Sequence, residues 1–162
     1  TVDDALEFFA PDEGVKPSAT IKRLLAKLAP LQEVGLGYIT LGQGSNTLSG
    51  GEAQRIKLAA FLGRGGRQGH TLFVFDEPTT GLHVHDVSKL LDSFDALIAQ
   101  GHSVVVIEHH LDVIKCADYV IDLGPKGGDA GGQLVHQGTP ESLAQCVGSL
   151  TGMHLQPKLT LS

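Results

Sequence analysis

The sequence predicts an α/β fold, with a mostly parallel sheet flanked by helices and a helical portion before it. Three observations predict this. Two short apolar runs, Leu72–Phe75 and Ser103–Ile107, have strand length and are bounded by polar or turn-forming residues. Between them Val87, Leu90, Leu91, Phe94, Leu97 and Ile98 recur at helical spacing. Strand-like and helix-like segments then alternate toward the C-terminus, the pattern of a sheet with crossover helices.

The chain has 162 residues, enough for one domain or a large piece of one, and is 41% hydrophobic. No apolar run approaches the ~20 residues that span a bilayer, and no signal peptide is visible. Cys116 and Cys146 form no CxxC pair, so neither a zinc site nor a disulfide framework is suggested, and a reducing cytoplasm is expected. A net charge of −6 argues against a strong nucleic-acid footprint for this chain taken alone. The first residue is Thr, which suggests an excised fragment.

In chain order, Thr1 caps a short helix to Phe9, with Asp3 and Asp4 in its first turn, where acids suit the helix dipole. Pro11, Gly14 and Pro17 mark a loop. Ser18 opens a second helix with Ile21, Leu24, Leu25 and Leu28 on one face; Lys22, Arg23 and Lys27 form a solvated face away from it. Pro30 is expected to kink or restart that helix. Tyr38 to Leu41 reads as a short extended piece, and Gly42 to Asn46 as a flexible lead.

Ser49 and Glu52 then stand in the capping-box relation, so a helix is expected to start there and run through Phe61. Gly50 and Gly51 are poor helix formers in its first turn. They leave bare backbone N–H groups at a helix N-terminus, a site suited to phosphate. A Gly/Arg-rich turn, Gly63 to Gly69, precedes the first strand, which is expected to be buried on both faces. Asp76 and Glu77 follow at its C-terminal end, where a parallel sheet opens onto its ligand crevice, and Pro78 stops the ladder.

Thr79 to His83 is a tight loop before the amphipathic helix, which Gly101 terminates. The second strand ends in Glu108-His109-His110. A short helix through Leu111 and Ile114, a strand from Tyr119 to Leu123, a Gly-rich loop from Gly124 to Gly132 and a strand from Gln133 to His136 come next. Thr139 and Pro140 open a last helix to about Cys146, and the tail from Gly148 has no clear pattern.

The acidic pair carries the chemistry. Asp76 is placed to anchor Mg²⁺, largely through water, and Glu77 to orient and polarise an attacking water. His109, at the end of the second buried strand, is placed to reach a γ-phosphate or to hold the water's geometry. The loop Gly124-Pro125-Lys126-Gly127-Gly128-Asp129 lacks a Gly-Lys-Ser/Thr ending and is not a phosphate loop.

The stretch Leu48-Ser49-Gly50-Gly51-Glu52-Ala53-Gln54-Arg55 resembles the signature of ABC-type ATPases. Leu72 to Glu77 resembles their Walker B strand with its glutamate, Thr79-Thr80-Gly81-Leu82-His83 their D-loop, and His109 their switch histidine. Asp76-Glu77-Pro78-Thr79-Thr80-Gly81-Leu82-His83, Val106-Ile107-Glu108-His109 and Asp122-Leu123-Gly124-Pro125 are more narrowly similar to the UvrA family of excinuclease proteins. The resemblance covers nearly the whole chain. It implies a partial ABC-ATPase domain, the C-terminal part of the second nucleotide-binding module.

The resemblance further implies an ATPase of nucleotide excision repair that recognises damaged DNA, forms a homodimer and hands over to a partner excinuclease protein, UvrB. By carry-over, the signature residues Leu48, Ser49, Gly50, Gly51, Glu52 and Gln54 contact ATP held by the opposing module. Asp76, Glu77 and His109 serve the ATP of their own module, beside the D-loop residues Thr80, Gly81 and Leu82. ATP and Mg²⁺ are the implied cofactors. No Gly-x-x-x-x-Gly-Lys-Ser/Thr loop and no cysteine-rich zinc segment are present, so both are expected upstream, and His110 stands where the family usually has Asn.

The expected division is a helical signature subdomain over 1–66, an ATPase core fragment over 67–150 with its phosphate-loop strand missing, and a tail over 151–162. The isolated fragment is expected to be inactive. Three other readings are open: a paralogous ATPase of antibiotic self-protection, a non-enzymatic docking module, and another DNA-associated ABC ATPase. The presence of Ser49 and Glu77 weighs against the second, and the lack of a heptad run against the third.

Overall fold

Side-chain caps set where the helices of the N-terminal half begin. The computed structural model describes residues 1–63, 69–124 and 131–159, apart from the side chains of Val84 and His85, and forms two units, Thr1–Ile107 and Glu108–Ser162. Most of the Gly63–Gly69 turn, residues 125–130 of the Gly-rich loop and the last three residues lie outside the described set.

In the first unit, α1 (Val2–Phe8) starts on a capping box between Thr1 and Asp4. It docks on the turn after the next helix: Val2 N–H donates to the Ile39 carbonyl and Asp3 N–H to that of Gly37, both at 2.9 Å. Ser18 caps α2 (Ala19–Glu33), its hydroxyl accepting from Ile21 N–H. The helix runs on through Pro30 instead of restarting there. Pro30 lies within one turn of the helix end, so its missing N–H removes a single intrahelical bond. Tyr38 to Leu41 forms turns, not an extended piece, and Ser45–Thr47 is a short 3₁₀ turn.

α3 (Gly50–Leu62) begins at Ser49 as expected. Two strands follow, β1 (Leu72–Asp76) and β2 (Ser103–Ile107), joined through α4 (Val84–Ala99). They pair in parallel, Leu72 opposite Ser103 and Asp76 opposite Ile107. A parallel pair needs a crossover of this length, and the helix supplies it. The core lies on one side of this sheet: Phe75 packs on Phe94, ring centroids 4.9 Å apart, beside Val34, Leu36, Leu58, Leu90 and Leu97.

The expectation that both strands are buried on two faces is corrected. Phe73, Phe75, Val104 and Val106 turn toward the core, whereas Leu72, Val74, Val105 and Ile107 are 47–60% exposed. Apolar residues at every position of a strand mark it for burial on both faces. Here only the α3/α4 side is covered.

The second unit holds α5 (Leu111–Ile114), β3 (Val120–Gly124), β4 (Gln133–Gly138), α6 (Pro140–Ala144) and α7 (Leu150–Leu159). β3 and β4 pair antiparallel, with an irregularity between Asp122 and Leu123. The parallel arrangement expected for most of the sheet therefore holds for β1–β2 alone. The connection from β3 to β4 is too short for a crossover, so the second strand must return antiparallel.

α7 occupies the tail that showed no pattern. Ser149 Oγ accepts from Gly152 N–H at 2.7 Å and donates to Asp122 Oδ2 at 2.5 Å, so one hydroxyl starts the helix and ties it to β3. Gly152 is required because a Cβ there would fall 2.1 Å from the Leu143 carbonyl oxygen. Ile114, Leu143 and Leu155 form the core of this unit, and Lys158 donates to both oxygens of Asp112 at 3.0 Å.

The one-sided core sets the stability pattern. Leu90→Ala should lower unfolding free energy by about 2–5 kcal/mol, whereas Val74→Ala on the bare sheet face should change it by less than about 0.5 kcal/mol. Urea titration of both variants checks this.

Candidate functional site

The site in the first unit is a joint between the start of α3 and the end of β1. Ser49 is the hinge of the local structure. Its hydroxyl accepts from Glu52 N–H at 3.2 Å, while Glu52 Oε2 accepts from Ser49 N–H at 2.7 Å. The first-turn amides of Gly50 and Gly51 have no acceptor within the helix. A Cβ at Gly50 would meet nothing within 4 Å, so that side of the helix start is open to a ligand. Gly51 is different: it is buried, and a Cβ there would lie 3.2 Å from both Arg55 Nη1 and the Thr80 carbonyl oxygen.

Two further side chains of α3 hold the strand end. The Gln54 amide makes a double bond with the main chain of Asp76, donating from Nε2 to its carbonyl at 3.1 Å and accepting its N–H at 3.2 Å. Arg55 Nη1 donates to the carbonyls of Pro78 at 2.5 Å and Thr80 at 3.5 Å, and Nη2 to the Tyr38 hydroxyl at 3.5 Å. The Tyr38 hydroxyl in turn donates to Glu52 Oε1 at 2.7 Å. Burial pushes the Tyr38 phenol up and the Arg55 guanidinium down from their ordinary values.

β1 ends at Asp76, and Glu77 takes φ +46°, the one non-glycine residue in the left-handed region among those described. Glu77 N–H still donates to the Ile107 carbonyl at 2.9 Å, and its own carbonyl accepts Thr80 N–H at 3.1 Å. The divergence of the two acids thus comes from a backbone reversal, not from strand alternation. Asp76, Glu77, Thr80 and Gly81 are exposed; Leu82 packs on the core near Gly35. The structure brings Ser49, Gly50, Gly51, Glu52 and Gln54 together with Asp76, Glu77 and Thr80.

In the second unit, the Glu108 carboxylate accepts the N–H groups of both His109 and His110, at 2.9 and 3.0 Å, and so shapes the turn that presents an exposed His109. His110 Nδ1 is buried without a hydrogen bond.

The residues fit a magnesium nucleotide. Mg²⁺ with bound phosphates takes one or two protein carboxylates and keeps waters, which a single exposed Asp76 at a strand end can serve. Among the described residues no three His, Cys, Asp or Glu side chains gather as an all-protein metal cage would need.

Sequence reasoning missed Arg55 and Tyr38 as parts of this site. A charged residue six positions after a helix cap, where Ile56, Leu58 and Ala59 turn inward, is the signal that points to Arg55.

No family model matches the chain. It is 55% identical over 159 residues to UvrABC system protein A of Mesorhizobium japonicum and 54% identical to that of Aquifex aeolicus. Each match covers 98% of this chain but only 15–16% of the relative, so the chain spans about a sixth of their length. The crystal structure of UvrA2 from Deinococcus radiodurans matches with TM-score 0.81 and 48% identity, over 98% of this chain and 18% of that one. A bacterial Atm1-family ABC exporter with ATP bound matches with TM-score 0.55 and 22% identity, over 98% and 26%, a likeness of fold.

The joint makes two measurable statements. Ser49→Ala should cost about 0.5–2 kcal/mol. Glu52 is held below its usual 4.5 first by the Tyr38 hydroxyl and then by the Ser49 amide. Its contribution is therefore complete above pH 4.5 and is lost as acidification passes the lower folded value. Tyr38→Phe should flatten the fall in stability between about pH 5 and pH 3, read by urea titration across that range.

Proposed function

Because the chain belongs by sequence to the UvrA family, as a segment of it, we propose that it is the C-terminal part of the second nucleotide-binding module of the ATP-driven protein that recognises damaged DNA in nucleotide excision repair. What supports this reading is one observation: an open, capped helix start and an acidic strand end are clamped together by Gln54 and Arg55. The longer protein would bind DNA, dimerise, work with UvrB in the cytoplasm and carry its phosphate loop and zinc segment outside this chain.

In this reading the amides of Gly50 and Gly51 and the Ser49 hydroxyl receive the γ-phosphate of a nucleotide held by the opposing module. Leu48, Glu52 and Gln54 hold the signature turn in shape. Asp76 holds Mg²⁺, which supplies neutralisation of charge on the phosphate oxygens. Glu77 accepts a hydrogen bond from the attacking water and draws its proton density, and His109 steadies the same water or the γ-phosphate. Thr80, Gly81 and Leu82 carry the loop that faces the opposing module.

Most ligands of a triphosphate lie in a phosphate loop. The 162-residue chain alone is therefore inactive, and calorimetry on it should show no micromolar ATP affinity; micromolar binding would contradict the division of labour. In the longer protein, Glu77→Gln should slow ATP hydrolysis by roughly 10²–10⁴-fold and leave nucleotide binding within about twofold. Unchanged turnover would remove Glu77 from the water-orienting role.

The match to UvrA2 supports a second reading, a paralogous ATPase in drug self-resistance. Failure of the longer protein to associate with UvrB would favour it.

A further inference from the structure

Arg55 is fully buried, the largest such side chain among the described residues, yet it lies on a helix within a first-unit core of Leu58, Ala59 and Phe75. Its hydrogen-bond partners are two main-chain carbonyls and a phenol, and its Nε has none. Burying a guanidinium on these terms is costly, and a well-packed apolar residue of similar volume is often neutral or stabilising in such a place. Stability alone does not account for arginine at this position.

The geometry offers another account. The carbonyls that Arg55 binds belong to Pro78 and Thr80, one and three residues after Glu77, whose backbone sits at φ +46°. The same Nη1 lies 3.2 Å from the position of a Cβ on Gly51, in the first turn of α3. A planar fork holds its acceptors in a fixed relation, which a lysine ammonium does not.

We propose that Arg55 is a positioning residue that makes the helix start at Gly50–Gly51 and the turn Glu77–Thr80 one rigid piece, so that the group meeting one nucleotide's γ-phosphate and the carboxylate orienting water at another move together. This rests on the ATPase reading above. Arg55 touches neither nucleotide; it acts through the main chain of the turn that carries Glu77. Its loss displaces the water-orienting carboxylate and leaves nucleotide binding intact.

The test uses Arg55→Lys and Arg55→Met in the longer protein, with Glu77→Gln beside them. Both Arg55 variants should lower kcat by between about tenfold and a hundredfold while KM for ATP stays within about twofold. Arg55→Met keeps the packing without the fork, so folding is preserved if the lysine variant is unstable. In the 162-residue chain, the same variants should speed amide hydrogen exchange at Gly50–Gly51 and at Thr80–Gly81 together, by about tenfold.

A folded Arg55→Lys or Arg55→Met protein with unchanged kcat, where Glu77→Gln has lost turnover, overturns the positioning role. If Glu77→Gln keeps full turnover, the ATPase assignment fails instead, and exchange decides the remainder. Joint loss of protection at the two segments supports the rigid coupling, and loss at one alone overturns it.

Discussion

Everything in the first unit depends on how the start of α3 is fastened to the end of β1. A helix N-terminus with two glycines is a weak structure by itself: the glycines cost helix propensity and leave unsatisfied amides. The capping box of Ser49 and Glu52 restores one end of it. Gln54 and Arg55 restore the other by binding main-chain groups of Asp76, Pro78 and Thr80. The polar contacts are almost all to backbone, which has a fixed shape, so the joint holds two loops in register whatever their exposed side chains do.

The rest of the unit keeps that joint in place. Leu58 and Ala59 on α3 share a core with Phe75 on β1 and with Leu90, Phe94 and Leu97 on α4. Tyr38, between Glu52 and Arg55, links the cap to the guanidinium. The core lies on one face of the β1–β2 pair, and the other face presents Leu72, Val74, Val105 and Ile107 to solvent. The second unit is built differently, with a short hairpin tied to α7 by Asp122, Ser149 and Thr151, and α5 tied to α7 by Asp112 and Lys158.

What could be read from the sequence was what local chemistry determines. The cap at Ser49, the strands at Leu72–Asp76 and Ser103–Ile107 and the helix between them depend on neighbours within a few residues. The buried role of Arg55 was not legible, because its partners lie 23 and 25 residues further on and are carbonyls that any residue carries. α7 was hidden by Gly152 and Pro157 inside ten residues, and Gly152 is there for the carbonyl of Leu143, not for the helix. The apolar runs of β1 and β2 signalled burial on both faces, but what covers a strand is a tertiary matter that its own sequence does not contain.

The central claim is that one joint serves two nucleotides, its helix start facing one and its acidic strand end the other. A structure of the longer protein with a non-hydrolysable ATP analogue and Mg²⁺ tests it most directly. The account predicts Ser49 and the Gly50–Gly51 amides within hydrogen-bond distance of one γ-phosphate, and Asp76 and Glu77 of the same chain around a different nucleotide. Both sets of residues converging on a single nucleotide, or the Ser49 end of α3 meeting none, would contradict it.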